Sequence, residues 1–226
     1  MVKSYTWAER QSIGSSLVDL GYRDYIAARF LLNNEFIVQG LTLASTAVEK
    51  YLKALIVFTS KKKERYNYHF DNLMKLKTIL AKNDQDVTEK FDPVFLAILE
   101  KAYKIRYYDK LKKPVEIGFF LNQFIGELDS VVHFLETTDT PGLLYKQAIK
   151  NKDPNLFQNN FILNNQGKIE FMERPDTAIA IHIEIGSSYQ RESKIVGRNI
   201  VNKYEGHLAI FANPFEPDWL VNTLTS

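Results

Sequence analysis

The chain has 226 residues, 45% of them hydrophobic and 25% charged, the composition of a soluble globular protein with one domain and an appendage, or with two small domains. It contains no cysteine, so disulfides and thiolate metal sites are excluded, and cytoplasmic residence is the expected localisation. Met1 to Arg10 lacks the apolar run of a signal peptide, and no apolar stretch reaches the about 18 residues of a membrane span. The net charge is only +2, so attraction to nucleic acid has to come from local clustering of cations.

Ser15 or Ser16 is placed to cap a first helix that runs to about Asn33, with Leu17, Leu20, Ala27, Phe30 and Leu31 inward. Phe36 to Gly40 reads as a link. In the next stretch Leu41, Ala44, Val48, Leu52 and Leu55 recur at steps of three and four and share one helix face, while Glu49 and Lys53 form an outward i,i+4 pair. Thr59 to Tyr68 is a strongly basic loop. A third helix is expected from His69 to about Lys82, and a fourth from near Thr88 or Asp92-Pro93 to about Tyr107, since proline suits a first helical turn. Lys110 to Pro114 is a second basic loop. A fifth helix is expected over about Val115 to Thr137.

The periodicity changes at Asp139-Thr140-Pro141-Gly142, which sets an expected boundary between a helical part (1–138) and a β-rich extension (139–226). After a short helix near Gly142–Lys150, strands are expected at 160–164 and 168–172 around the turn Asn165-Gln166-Gly167. Ala178 to Ile185 alternates strictly, with Ile179, Ile181, Ile183 and Ile185 on one face. Gly206 to Ala212 is a further expected strand. The expected class is α+β: an up-down bundle of about five helices followed by a small, mainly antiparallel sheet.

Three landmarks carry a family resemblance. Ala47-Val48-Glu49-Lys50-Tyr51-Leu52-Lys53-Ala54-Leu55 resembles the second helix of the HEPN family, found in proteins linked to prokaryotic nucleotidyltransferases, in RNase toxins and in the sacsin tail. His69-Phe70-Asp71-Asn72-Leu73 resembles the start of that family's third helix, and Ile105-Arg106-Tyr107-Tyr108-Asp109 the end of its fourth. The resemblance covers roughly residues 15–137 and implies a homodimer, a nucleotidyltransferase-type or other protein partner, and a role in toxin–antitoxin or phage-defence systems.

In an up-down bundle the loops after the second and fourth helices lie at one end. That end would gather Lys61, Lys62, Lys63 and Arg65 with Lys101, Lys104, Arg106, Lys110, Lys112 and Lys113, and would offer Tyr66, Tyr68, Tyr107 and Tyr108 for stacking on bases. RNA or a nucleotide is the ligand this clustering suggests. The bland alternative is a solvated rim of cations at helix C-termini.

In the catalytic branch of the resembled family, an Arg is followed after about four to six residues by a His that moves the proton while the Arg holds the growing phosphate charge, without metal. Counting from Arg106, those positions hold Leu111, Lys112 and Lys113, and none is histidine. Binding without cleavage is therefore the first expectation. The enzyme alternative is a divergent endoribonuclease using Arg106 with His69 or a tyrosine in place of the missing group. The structural alternative pairs Arg106 with Glu49 or Asp109. A third alternative is a scaffold that acts through the β extension. No cofactor is called for. His182 and Glu184 share a strand face, but no third ligand stands at metal-motif spacing, so no metal site is expected.

Overall fold

The computed structural model describes residues 6–59, 73–82, 87–107, 110–112, 115–138, 142–172, 174, 176–183 and 190–196. The chain is mostly helical, with a small antiparallel sheet. No described helix is long and apolar enough to cross a membrane.

Helix α1 spans Trp7–Asn33 and α2 spans Ile37–Thr59. The first begins earlier than Ser15 because Thr6 and Glu9 form a capping box. The Glu9 amide donates to Thr6 Oγ1 at 3.2 Å, and the Thr6 amide donates to Glu9 Oε2 at 2.7 Å. The pattern Thr-x-x-Glu is in the sequence and outweighs the serines, which lie inside the helix.

Glycines show how the two helices meet. A Cβ on Gly14 would stand 2.2 Å from the Phe58 ring, and one on Gly40 would stand 2.6 Å from Leu32 Cγ. The start of α1 thus lies on the end of α2, and the end of α1 on the start of α2, an antiparallel hairpin whose backbones approach closely. Gly40 therefore belongs to α2 and not to a link.

The inward stripe of α1 differs from the expected one. Val18, Tyr22, Tyr25, Ala28, Arg29 and Leu32 are buried, whereas Leu20 and Phe30 are 47% and 55% exposed. Both stripes carry apolar residues, and the stripe with the small Gly14 and Gly21 is the one that fits against α2. Helix α2 is buried on most sides and contributes Leu41, Ala44, Val48, Leu52 and Leu55 to the core, as its periodicity requires.

Helix α3 is Leu73–Lys82, with His69 to Asn72 outside the described residues. Helix α4 is Pro93–Ile105, capped by Asp92, whose carboxylate accepts from the amides of Val94 (2.8 Å) and Phe95 (3.0 Å).

The expected fifth helix is two elements. Val115–Phe120 is strand β1, and α5 starts only at Leu121 and runs to Thr138. The segment Val-Glu-Ile-Gly-Phe-Phe is rich in β-branched and aromatic residues, and Gly118 weakens a helix by roughly 1 kcal/mol.

Strand β1 pairs antiparallel with β2 (Thr177–Ile183), which pairs in turn with β3 (Gln190–Val196). The register sets Val115, Ile117 and Phe119 opposite Ile183, Ile181 and Ile179, and all six are core residues. The sheet thus straddles residue 139, and the same core takes in Tyr145, Ala148 and Leu156 from beyond it.

Among the described residues the extension is less strand-rich than expected, and the strand expected over Gly206 to Ala212 lies outside them. Helices α6 (Leu143–Asn151), α7 (Pro154–Phe157) and α8 (Lys168–Met172) precede β2. The hairpin expected at 160–172 is absent. Asn160 Oδ1 instead accepts from the Leu163 amide and turns the chain, and Phe161 packs on Phe171 with ring centroids 5.2 Å apart. Asp176 locks the junction between sheet and bundle. Its carboxylate accepts from the Asn122 and Gln123 amides at 2.8 and 3.2 Å, and so caps α5 from the residue before β2.

One ion pair is wholly interior. Arg29 on α1 and Asp129 on α5 are both fully buried and in contact; Tyr25 Oη donates to Asp129 at 2.8 Å, and Arg29 also donates to the Gln158 carbonyl beyond α7. Burial opposes the Arg29 charge, and the Asp129 carboxylate more than offsets it, so the guanidinium is held protonated.

Removing one partner leaves an unpaired buried charge, so Asp129→Ala is expected to cost about 3–5 kcal/mol in urea unfolding. Replacing both partners (Arg29→Met with Asp129→Leu) is expected to recover most of that. A loss below about 1 kcal/mol for the single variant would contradict the role given to the pair.

Candidate nucleic-acid interface

Helix α4 ends at Arg106, whose side chain is exposed. Its guanidinium carbon lies 5.5 Å from the centroid of the Tyr107 ring, and Lys110 Nζ lies 5.3 Å from the same centroid. Tyr107 is half-buried and packs on the buried Tyr103, with centroids 5.6 Å apart. A core-anchored aromatic thus gathers two cations at the surface through the negative face of its ring. Lys112 is exposed just beyond.

Of the two carboxylates expected beside Arg106, Glu49 is not its partner. Glu49 is buried and takes Lys53 at 2.6 Å, and Asp109 lies outside the described residues. Among the described residues Thr46 Oγ1, at 3.4 Å, is the hydrogen-bond contact of Arg106, too long to hold the side chain firmly. Among the described residues no carboxylate pairs with Arg106, Lys110 or Lys112. Lys104 differs, since it is tied to Glu100 at 3.2 Å one turn back.

Lys61, Lys62, Lys63, Arg65, His69, Tyr108 and Lys113 fall outside the described residues. Of the expected cluster, the structure therefore brings together Arg106, Tyr107 and Lys110, and leaves Lys104 in a helix-surface pair. Tyr107, named for stacking on bases, holds both cations over its ring here.

His133 is the one histidine whose side chain is described. It lies on α5, with Nδ1 2.7 Å from Tyr145 Oη, and burial lowers its pKa, so it is neutral near pH 7. No described group of three or more His, Asp or Glu side chains is arranged to hold a metal ion, and the side chain of His182 together with Glu184 lies outside the described residues.

The sequence reading missed a second polar cluster, deep between α1, α2, α5 and α6. Glu136 is buried. Its carboxylate accepts from Tyr51 Oη on α2 and from the Gly142 amide at the start of α6, both at 2.5 Å. Burial pushes Glu136 up to about 7 against the pull of those two donors. Burial also raises Tyr22, Tyr25, Tyr51 and Tyr145, with nearby carboxylates adding to it, so all four stay protonated, and Tyr25, Tyr51 and Tyr145 act through hydrogen bonds. One signal could have revealed part of this cluster: Arg29 has Tyr25, Ile26 and Leu32 three or four residues away, and Asp129 has Ile125 and Val132, so both charges stand on apolar stripes.

Compared with known proteins, the chain matches no family model, no curated protein and no solved structure. The HEPN resemblance thus rests on the three sequence landmarks.

The folded chain ionises Glu136 near pH 7 and the unfolded chain near the ordinary value of about 4.5. The folded state therefore binds the extra proton, and that stabilisation is complete below about pH 4.5 and lost as the pH rises through 7. Asp176, pushed up to about 6 by burial, acts with the same sign over a lower window. Glu136→Gln removes one titration. The parent is expected to lose stability relative to this variant, on the order of 3 kcal/mol, as pH rises through that window in denaturation series. Parallel pH profiles for the two proteins would show that Glu136 is not the titrating group.

Proposed function

We propose that the chain is a HEPN-like protein that binds RNA or a nucleotide at the end of α4 without cleaving it. The observation that carries this is the pair of cations, Arg106 and Lys110, gathered on Tyr107 with no described carboxylate paired to either. A cation that lacks an internal partner keeps its attraction for phosphate, and a guanidinium suits a phosphate's geometry. The neighbouring lysines that bear the same charge, Lys112 beside them and Lys61 to Lys63 in the sequence, add to the field.

The chemistry favours binding over hydrolysis. No histidine occupies the positions after Arg106 where the resembled ribonucleases carry one, and the described histidine is engaged with Tyr145 on α6. A homodimer, a nucleotidyltransferase-type partner and a place in a toxin–antitoxin or phage-defence system belong to this reading on the strength of the resemblance.

The test is fluorescence anisotropy with labelled single-stranded RNA across a salt series, a chelator present throughout, and the RNA inspected afterwards by gel. The parent is expected to bind in a salt-sensitive way and leave the RNA intact. Arg106→Ala with Lys110→Ala is expected to weaken binding about tenfold or more and to reduce the salt slope by about 1 to 2, the share of two phosphate contacts. Unchanged affinity in that variant would contradict the proposed site. Cleavage that disappears with Arg106→Ala would replace the binding reading with an endoribonuclease.

A further inference from the structure

The outer face of α1 and the start of α7 form an open groove of about 500 Å³. Ile26, Phe30 and Leu31 make an apolar wall, with Phe30 55% exposed although it is a large aromatic side chain. Arg23 from α1 and Asp153 from the start of α7 also line the groove.

Arg23 is exposed and makes no ion pair or hydrogen bond among the described residues. The Asp153 carboxylate accepts only from Asn155, its backbone amide at 2.9 Å and its side-chain Nδ2 at 3.2 Å, both on Oδ1. Its second oxygen is uncommitted among the described residues. Tyr22, which also lines the groove, is buried and its hydroxyl has no hydrogen-bond partner among the described residues. A buried polar atom without a partner is uncommon in folded proteins.

We infer that this groove binds a small zwitterion with a large apolar body, the chemistry of a free α-amino acid with an apolar side chain. The ligand carboxylate goes to Arg23, its ammonium group to the free oxygen of Asp153, and its side chain to Ile26, Phe30 and Leu31. A nucleotide or RNA strand fits less well, because its phosphate would lie beside the Asp153 carboxylate. A purely apolar occupant would leave both charges without partners. The groove is built from α1 and α7 residues and shares none with the Arg106 end, so this inference stands independently of the RNA-binding reading.

The experiment is a titration followed by backbone amide NMR with three indole probes on the full chain: L-tryptophan with both charges, tryptamine with the ammonium alone, and indole-3-propionate with the carboxylate alone. L-Tryptophan is expected to shift the amides of residues 23–31 and 155. Each singly charged probe is expected to bind at least about threefold more weakly, the scale of one exposed charge contact. Arg23→Ala should bring L-tryptophan down to the affinity of tryptamine. Asp153→Asn, which keeps a side chain able to cap α7, should bring it down to that of indole-3-propionate. No L-tryptophan binding up to roughly 10 mM, equal binding of the singly charged probes, or shifts confined to other residues would each overturn the inference.

Discussion

Arg29 and Asp129 are both fully buried, and α1 and α5 could not pack as they do with either charge alone. The pair sets the relative position of the first helix and the helix that follows the first strand, and through the Gln158 carbonyl it holds the segment after α7 as well. Tyr25 supplies a further donor to the carboxylate. Such a pair is weak evidence for net stability, because two well-packed apolar residues often do as well. Its value is registry: a shifted packing of α1 on α5 would leave a charge unpaired in the core, and that is far costlier than a misplaced leucine.

Other contacts extend the same logic. Asp176 caps α5 from the far side of the expected domain boundary, and β1 pairs with β2 across it. Glu136 joins α5 to α2 and to the start of α6. The parts of the chain before and after residue 139 therefore share one core. Helix α4 packs on α2 within it, with Ser45 Oγ donating to the Leu99 carbonyl at 2.9 Å. Arg106 therefore stands at the end of a helix whose position is fixed, with an exposed side chain that no described carboxylate pairs.

Much of this was legible in the sequence where one period dominated. The stripe Leu41, Ala44, Val48, Leu52 and Leu55 gave α2 correctly, Asp92-Pro93 gave the start of α4, and the alternating isoleucines gave β2. The reading failed where two patterns overlapped. On α1, Leu20 and Phe30 competed with a stripe of glycines and tyrosines, and close helix approach favoured the smaller residues. From Val115 onward a strand ran straight into a helix with no turn residue between them, so one helix was expected where two elements exist. At 160–172 the turn signal was real, but asparagine side chains and a Phe161–Phe171 contact used it to build turns and a short helix. Arg106, Tyr107 and Lys110 were named from charge and spacing. The groove beside Arg23 was hidden because it depends on α7 meeting α1, a contact without any local signature.

The central claim is that a phosphate-bearing ligand meets the chain at Tyr107. The most direct measurement is photo-crosslinking of 4-thiouridine RNA to the full-length protein, followed by mass spectrometry of the peptides. The account predicts a crosslinked peptide that contains Tyr107, suppressed by raised salt in step with binding. A reproducible crosslink confined to peptides from α1 or from the sheet would contradict it.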